Sequence, residues 1–115
     1  MAPRSIFVMV AGLSPQIVTE TLYAFAQAAP ESLHDAEVHL ITTQEGARRA
    51  ELTLLTPPEA QFTQLLAEYS LPAVRLSSQH VHVITDADGQ SLYYFRTPAD
   101  NAAAADFITH KIRDF

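Results

Sequence analysis

Ile6-Phe7-Val8-Met9-Val10-Ala11-Gly12-Leu13-Ser14-Pro15-Gln16-Ile17-Val18 is the stretch that decides the fold class. Its first five residues are continuously apolar and partly β-branched. That is the pattern of a strand buried on both faces, as in a parallel sheet covered by helices. Gly12 permits a tight turn. Ser14 followed by Pro15 reads as a helix start: a hydroxyl able to cap orphan amides, then a proline preset for the first helical position. Ile17, Thr21, Ala24 and Ala28 recur at helical spacing, as do Val18, Leu22, Phe25 and Ala29, and Pro30 closes the segment. The unit is strand–turn–helix.

The same reading extends outward. Glu37 to Thr43 is a second strand, and Gln44-Glu45-Gly46 leads into a helix from Ala47 to Leu55 that Pro57-Pro58 interrupts. A third helix runs from about Glu59 to Tyr69 and ends before Pro72, with a short strand expected within Leu71 to Leu76. His80 to Thr85 alternates with period two. Asp86-Ala87-Asp88-Gly89 is turn chemistry, and Leu92 to Arg96 follows, which predicts a β-hairpin. Thr97-Pro98-Ala99-Asp100 reads as a capping box with proline at the first helical position. The order β-α-β-α-α-β-β-α predicts an α/β fold: a Rossmann-like, mostly parallel sheet flanked by helices, with a hairpin added. Residues 1–115 are expected to form one such domain or its amino-terminal portion. No strand follows the last helix, so the chain is expected to be a natural short form or the first part of something longer.

Composition narrows the function classes. The chain has 115 residues, 48% of them hydrophobic and 17% charged, which is globular composition. Seven Lys+Arg against thirteen Asp+Glu give a net charge of −6. Lys111 is the single lysine. Duplex nucleic acid needs many cation–phosphate contacts and is not an expected partner. There are no cysteines, so disulfides, thiol catalysis and cysteine-ligated metals drop out. Ile6 to Ala11 is far too short for a membrane span of ~20 residues and has no small-residue cleavage region behind it, so a cytoplasmic protein without a leader or membrane contact is expected.

Ligands of open α/β sheets bind beyond the carboxyl ends of the strands. Ala11-Gly12-Leu13-Ser14-Pro15-Gln16 lies there, at a helix amino terminus that attracts phosphate. It is neither a Gly-x-Gly-x-x-Gly nor a P-loop motif, so NAD or ATP gains no support. Ser14 reads equally as a plain helix cap. Thr42-Thr43-Gln44-Glu45-Gly46-Ala47-Arg48-Arg49 offers hydroxyls, a glycine and two arginines for phosphate or ribose. Its ordinary alternative is a solvated helix start, with Arg48 and Arg49 paired to Glu45 and Glu51. Asp100 suits the capping box, with Asn101 beside it. Glu20 is a possible acid or base, although an acidic residue early in a helix also suits the dipole. His80 and His82 share a strand face, but no third metal ligand is evident and none is expected.

Three stretches carry a resemblance: Phe7 to Ala24, Val38 to Ala47, and Arg96 to Asn101 with Ala104-Ala105-Asp106. Together the chain resembles the CRISPR-associated Rossmann-fold (CARF) proteins of type III systems, in the branch often labelled ring nuclease. The resemblance implies a homodimer that binds cyclic oligoadenylate, such as the tetra- or hexaadenylate ring, across its two-fold axis in antiviral signalling. It implies metal-independent ring cleavage, with no cofactor. Gly12, Leu13, Ser14, Pro15 and Gln16 are expected to contact the ligand, with Thr42, Thr43, Gln44 and Asn101 near it. Ser14, Arg48 and Arg49 are expected to act on the reacting phosphate. Relatives continue into a Gly-Gly-Arg-Lys-type loop, whereas this chain ends at Phe115, so its cationic contacts are expected from Arg48, Arg49 or a partner subunit. The alternatives are a non-catalytic cyclic oligoadenylate sensor within a larger effector, and an unrelated small α/β binder of phosphate ligands.

Overall fold

In the computed structural model, which describes residues 5–57, 60–71, 73–86, 88–92 and 97–115, strand β1 covers Ile6–Val10 and helix α1 Gln16–Ala28. Strand β2 is Glu37–Thr42 and helix α2 Gln44–Ala50, continued by a π-helical turn over Glu51–Leu55. Helix α3 is Gln61–Glu68, strand β3 Val81–Val83 and helix α4 Pro98–Arg113. The three strands form a parallel sheet in the order β1-β2-β3, with Met9 opposite Leu40 and Ile41 opposite His82. Strands joined in parallel through helices give the Rossmann-like α/β layering expected.

The alternation of β2 assigns the two faces of the sheet. Val38 and Leu40 point to one side, where they join Met9, Val18, Leu22, Ala50, Leu54, Phe62 and Leu65 in the main core. Ile41 points to the other side and packs with Ile84, Leu92 and Ala104 under α4. β2 is therefore the strand buried on both faces. The same expectation for β1 does not hold. Ile6 and Val10 are 42% and 41% exposed, because β1 pairs only with β2 among the described residues and α4 packs over Ile41 and Ile84 instead.

Several boundaries also move. Pro15, not Ser14, occupies the N-cap of α1, and no side chain caps that helix. The helix begins one residue later than expected, so the Ser14 hydroxyl stands outside the cap geometry. Thr43 caps α2 by accepting a hydrogen bond from the Gly46 amide at 3.1 Å, and the helix starts at Gln44 instead of Ala47. The strand expected between Leu71 and Leu76 shrinks to one parallel bridge, Arg75 to Glu37. His80 falls in a 3-10 turn, Ser78–His80, ahead of β3. The hairpin is present as far as Leu92: the Leu92 amide donates to the Ile84 carbonyl and the Asp86 amide to the Gln90 carbonyl, each at 2.8 Å. The Asp86 carboxylate accepts from the Asp88 and Gln90 amides, and Gly89 takes a positive φ of 79°. Its second arm, Tyr93 to Arg96, lies outside the described residues, as do Pro58, Glu59, Pro72 and Ala87. The capping box of α4 is complete, with Thr97 and Asp100 each bonding the other's amide.

The face beneath the end of α4 is polar. His39 stacks on His80 and on His82, with ring centroids 4.3 and 5.2 Å apart, and Phe115 lies against both His39 and His82. Burial, then the nearby Lys111 charge and the neighbouring histidines, push the His82 imidazole down to about 4. Burial also lowers His39, although Glu37 opposes the effect. An unfolded histidine titrates near ~6.5. The unfolded chain therefore takes up these protons first, and stability falls as pH drops from about 6.5 towards 4. We expect the melting temperature to fall between about pH 6.5 and 5 and His82→Gln to flatten that fall; parallel slopes in the parent and the variant would refute the neutral stack.

Candidate functional site

At the carboxyl ends of β1 and β2 three chain segments meet. The Ala11 amide donates to the Ile41 carbonyl at 3.0 Å, extending the pairing of the strands past Val10. The Thr42 hydroxyl donates to the Gly12 carbonyl at 3.0 Å. Gly46 packs so closely that a Cβ there would collide with the Gly12 carbonyl and the Thr42 Oγ1. The turn after β1, the end of β2 and the first turn of α2 are thus locked to one another. Thr42 and Thr43 are buried, with both hydroxyls used inside this junction. Gln44 is exposed, and its amide donates to the Leu92 carbonyl at 2.7 Å.

Beside the junction a cleft of about 320 Å³ is lined by Leu13, Ser14, Pro15, Gln16, Arg49, Thr53 and Gln61. The first expected segment and one of the two expected arginines therefore share a surface. Thr53 and Gln61 complete it, from the π-helical turn and the first residue of α3. Neither was legible as a site residue, because a π turn breaks the spacing by which a helix face is read. Asn101 is exposed on the first turn of α4 and does not line this cleft.

The arginines differ because of Glu45, a buried carboxylate. Arg48 grips it in a two-pronged pair, Nε to Oε2 at 3.0 Å and Nη2 to Oε1. Arg49 donates only Nε, to Oε1 at 3.2 Å, which leaves its terminal nitrogens unengaged by the described residues. Neither is bonded to Glu51 among the described residues. Arg49, anchored to Glu45 through Nε, presents the rest of its guanidinium to the cleft beside Ser14.

Other hollows suit an anion less. A cleft of about 610 Å³ lined by Leu33, His34, Ser70, Leu71 and Ala73 holds no arginine or lysine among the described residues. One of about 230 Å³ under α4 is lined by Asp86 and Asp106. The cleft at the strand ends is therefore the candidate site.

Layering and site together define an α/β protein of Rossmann-like build with an anion-suited cleft at the carboxyl ends of its strands. The chain belongs to the family described as CRISPR-associated protein NE0113 (Cas_NE0113), whose model matches residues 14–115. That membership supports a role in CRISPR defence. Comparison with curated proteins and with solved structures finds no match. No helix among the described residues is long and apolar enough to cross a membrane.

The junction makes a direct prediction. Gly46→Ala forces its methyl against a backbone carbonyl, and overpacking of this kind costs about 1–3 kcal/mol. Urea denaturation should show that loss, and a variant as stable as the parent would mean that the three segments separate freely.

Proposed function

We propose that the cleft between Ser14 and Arg49 binds cyclic oligoadenylate and that the protein cleaves the ring, ending the signal in type III CRISPR defence. The observation that carries the reading is the convergence of the uncapped Ser14 hydroxyl and the Arg49 guanidinium on one cleft at the strand ends, in a chain of a CRISPR-associated family. The cleft is at the small end of ligand-site sizes, so a ring must extend past its edge. Leu13 and Ile17, 41% and 40% exposed beside it, supply apolar surface for a second copy, which supports a homodimer sharing the ligand.

The reaction asks little of the protein. A ribose 2′-hydroxyl attacks the adjacent phosphorus in line, the bond to the 5′-oxygen breaks, and a 2′,3′-cyclic phosphate remains on a linear product. Alignment of the ribose and stabilisation of the developing phosphorane charge are the contributions required. Ser14 would donate to a phosphate oxygen and Arg49 would offset charge. Arg48 would hold Glu45, and through it Arg49, in place. Among the described residues, none of the lining side chains is a carboxylate or a histidine, so the reading assigns no general base and a slow turnover.

The test uses labelled cyclic tetra- and hexaadenylate with excess protein in EDTA. Linear product bearing a 2′,3′-cyclic phosphate is expected. Binding without product would assign a sensor in place of an enzyme, and no binding would overturn the reading. Ser14→Ala should melt within a few degrees of the parent, since no cap is lost, yet lose affinity or rate by roughly tenfold or more, the worth of one hydrogen bond to a charged group at ~1.5–3 kcal/mol. Parent-like binding and cleavage by Ser14→Ala would remove Ser14 from the site.

A further inference from the structure

The histidine face lies towards the starting ends of the strands, at the other end of the sheet from Thr42 and the cleft. Glu37, His39 and His80 each offer a ligand atom there, all within 4.8 Å of one another. Glu37 and His39 are two residues apart on β2 and so share a face. His80 arrives from the 3-10 turn before β3. We propose that Glu37, His39 and His80 bind a first-row transition-metal dication of the zinc class, through one carboxylate oxygen and two imidazole nitrogens.

Hydrogen bonding identifies which nitrogens face the ion. His80 Nδ1 lies 3.1 Å from the Val38 carbonyl, which only accepts, so the neutral ring carries its proton there and keeps a lone pair on Nε2. His39 Nδ1 lies 2.9 Å from His82 Nε2, and its own Nε2 faces Glu37 Oε2 at 3.5 Å. Without metal, an Nε2–H donated to Glu37 and an Nδ1 accepting from His82 satisfy both contacts; the other tautomer, with Nδ1–H donated to His82, frees the Nε2 lone pair for an ion held jointly with the Glu37 carboxylate. A backbone carbonyl on the outer nitrogen, as Val38 offers His80, is a usual support of metal-bound histidine, and His82 takes the corresponding place for His39.

Two nitrogens and one oxygen match zinc and its neighbours and leave a fourth position for water or a further donor. Tetrahedral bonds of ~2.0–2.1 Å place donor atoms roughly 3.3 Å apart, so the cluster contracts on binding. The His39 and His80 rings, now 26° from parallel, must also open, with His80 turning about its bond to the Val38 carbonyl. Arg75, 3.8 Å from Glu37 Oε1, and Lys111, whose charge reaches His39 and His82, lower the affinity, while Glu37 and Asp35 raise it. The expected absence of a third ligand for His80 and His82 is revised here: the partners come from β2, and His82 orients instead of ligating.

The experiment is titration of metal-free parent protein with zinc chloride near pH 7.5, read by calorimetry, melting temperature and imidazole NMR. One zinc per chain should bind and raise the melting temperature by mass action. The resonances of His39 and His80 should shift most, with those of His34 and His110 unmoved. Glu37→Gln and His80→Gln should each weaken binding at least tenfold. His82→Gln, a change to a positioning residue, should weaken it by roughly 10–100-fold. Absence of stoichiometric binding, shifts confined to His34 or His110, or parent-like binding by His80→Gln would each overturn the site. If His80→Gln fails to fold, the imidazole spectrum of the parent decides alone. None of these readouts involves cyclic oligoadenylate, so the two proposals stand or fall separately.

Discussion

The absence of a side chain at Gly46 holds the carboxyl end of the sheet together. Gly46 sits in the first turn of α2 against the Gly12 carbonyl and the Thr42 hydroxyl. Only there can the turn after β1 and the helix after β2 come so close. The approach brings two helix starts to one end of the sheet, and Arg49, one turn further along α2, reaches the residues after Gly12. Thr42 and Thr43 serve the same contact. Their hydroxyls satisfy the Gly12 carbonyl and the Gly46 amide, polar groups that burial without partners would make costly.

The two sides of β2 then take different work. One side is apolar and continuous with the main core. The other carries Glu37, His39 and Ile41, apolar only near its end, where Ile41 meets Ile84 and Ala104. A strand with two polar residues on one face needs an unusual cover, and the imidazoles of His80 and His82 with Phe115 supply it. The stacked rings bury polar atoms with their hydrogen bonds made, and no buried side-chain polar atom among the described residues lacks a partner.

Legibility in the sequence followed the range of the interaction responsible. The β1 segment and the Thr97-Pro98-Asp100 start of α4 appeared where the sequence placed them, because period and capping act over a few residues. Ser14 did not cap α1: Pro15 stands at the N-cap, one position before the first helical position that proline favours, and no neighbouring residue reveals that shift. The burial of Glu45 was invisible because an acidic residue in a first helical turn ordinarily faces solvent. His39 reads from sequence as one interior position of a strand. It becomes a partner of His80 only when β2 and β3 lie side by side, a pairing set by tertiary packing across some forty residues.

The acidic net charge and the proposed anion site are compatible for a reason that also separates the two arginines. A surface carboxylate pair is worth little, being screened and mobile. Glu45 is buried, so its charge must be matched, and it draws both guanidiniums to one place. Arg48 supplies the closer, two-pronged match. Arg49 is then held by one nitrogen at a fixed height on α2, with its remaining donors directed by that anchor. A tethered cation loses less side-chain entropy on meeting an anion than a free one. The buried carboxylate thereby converts one arginine of a solvated helix into a preorganised contact, without the basic surface that a nucleic-acid binder requires.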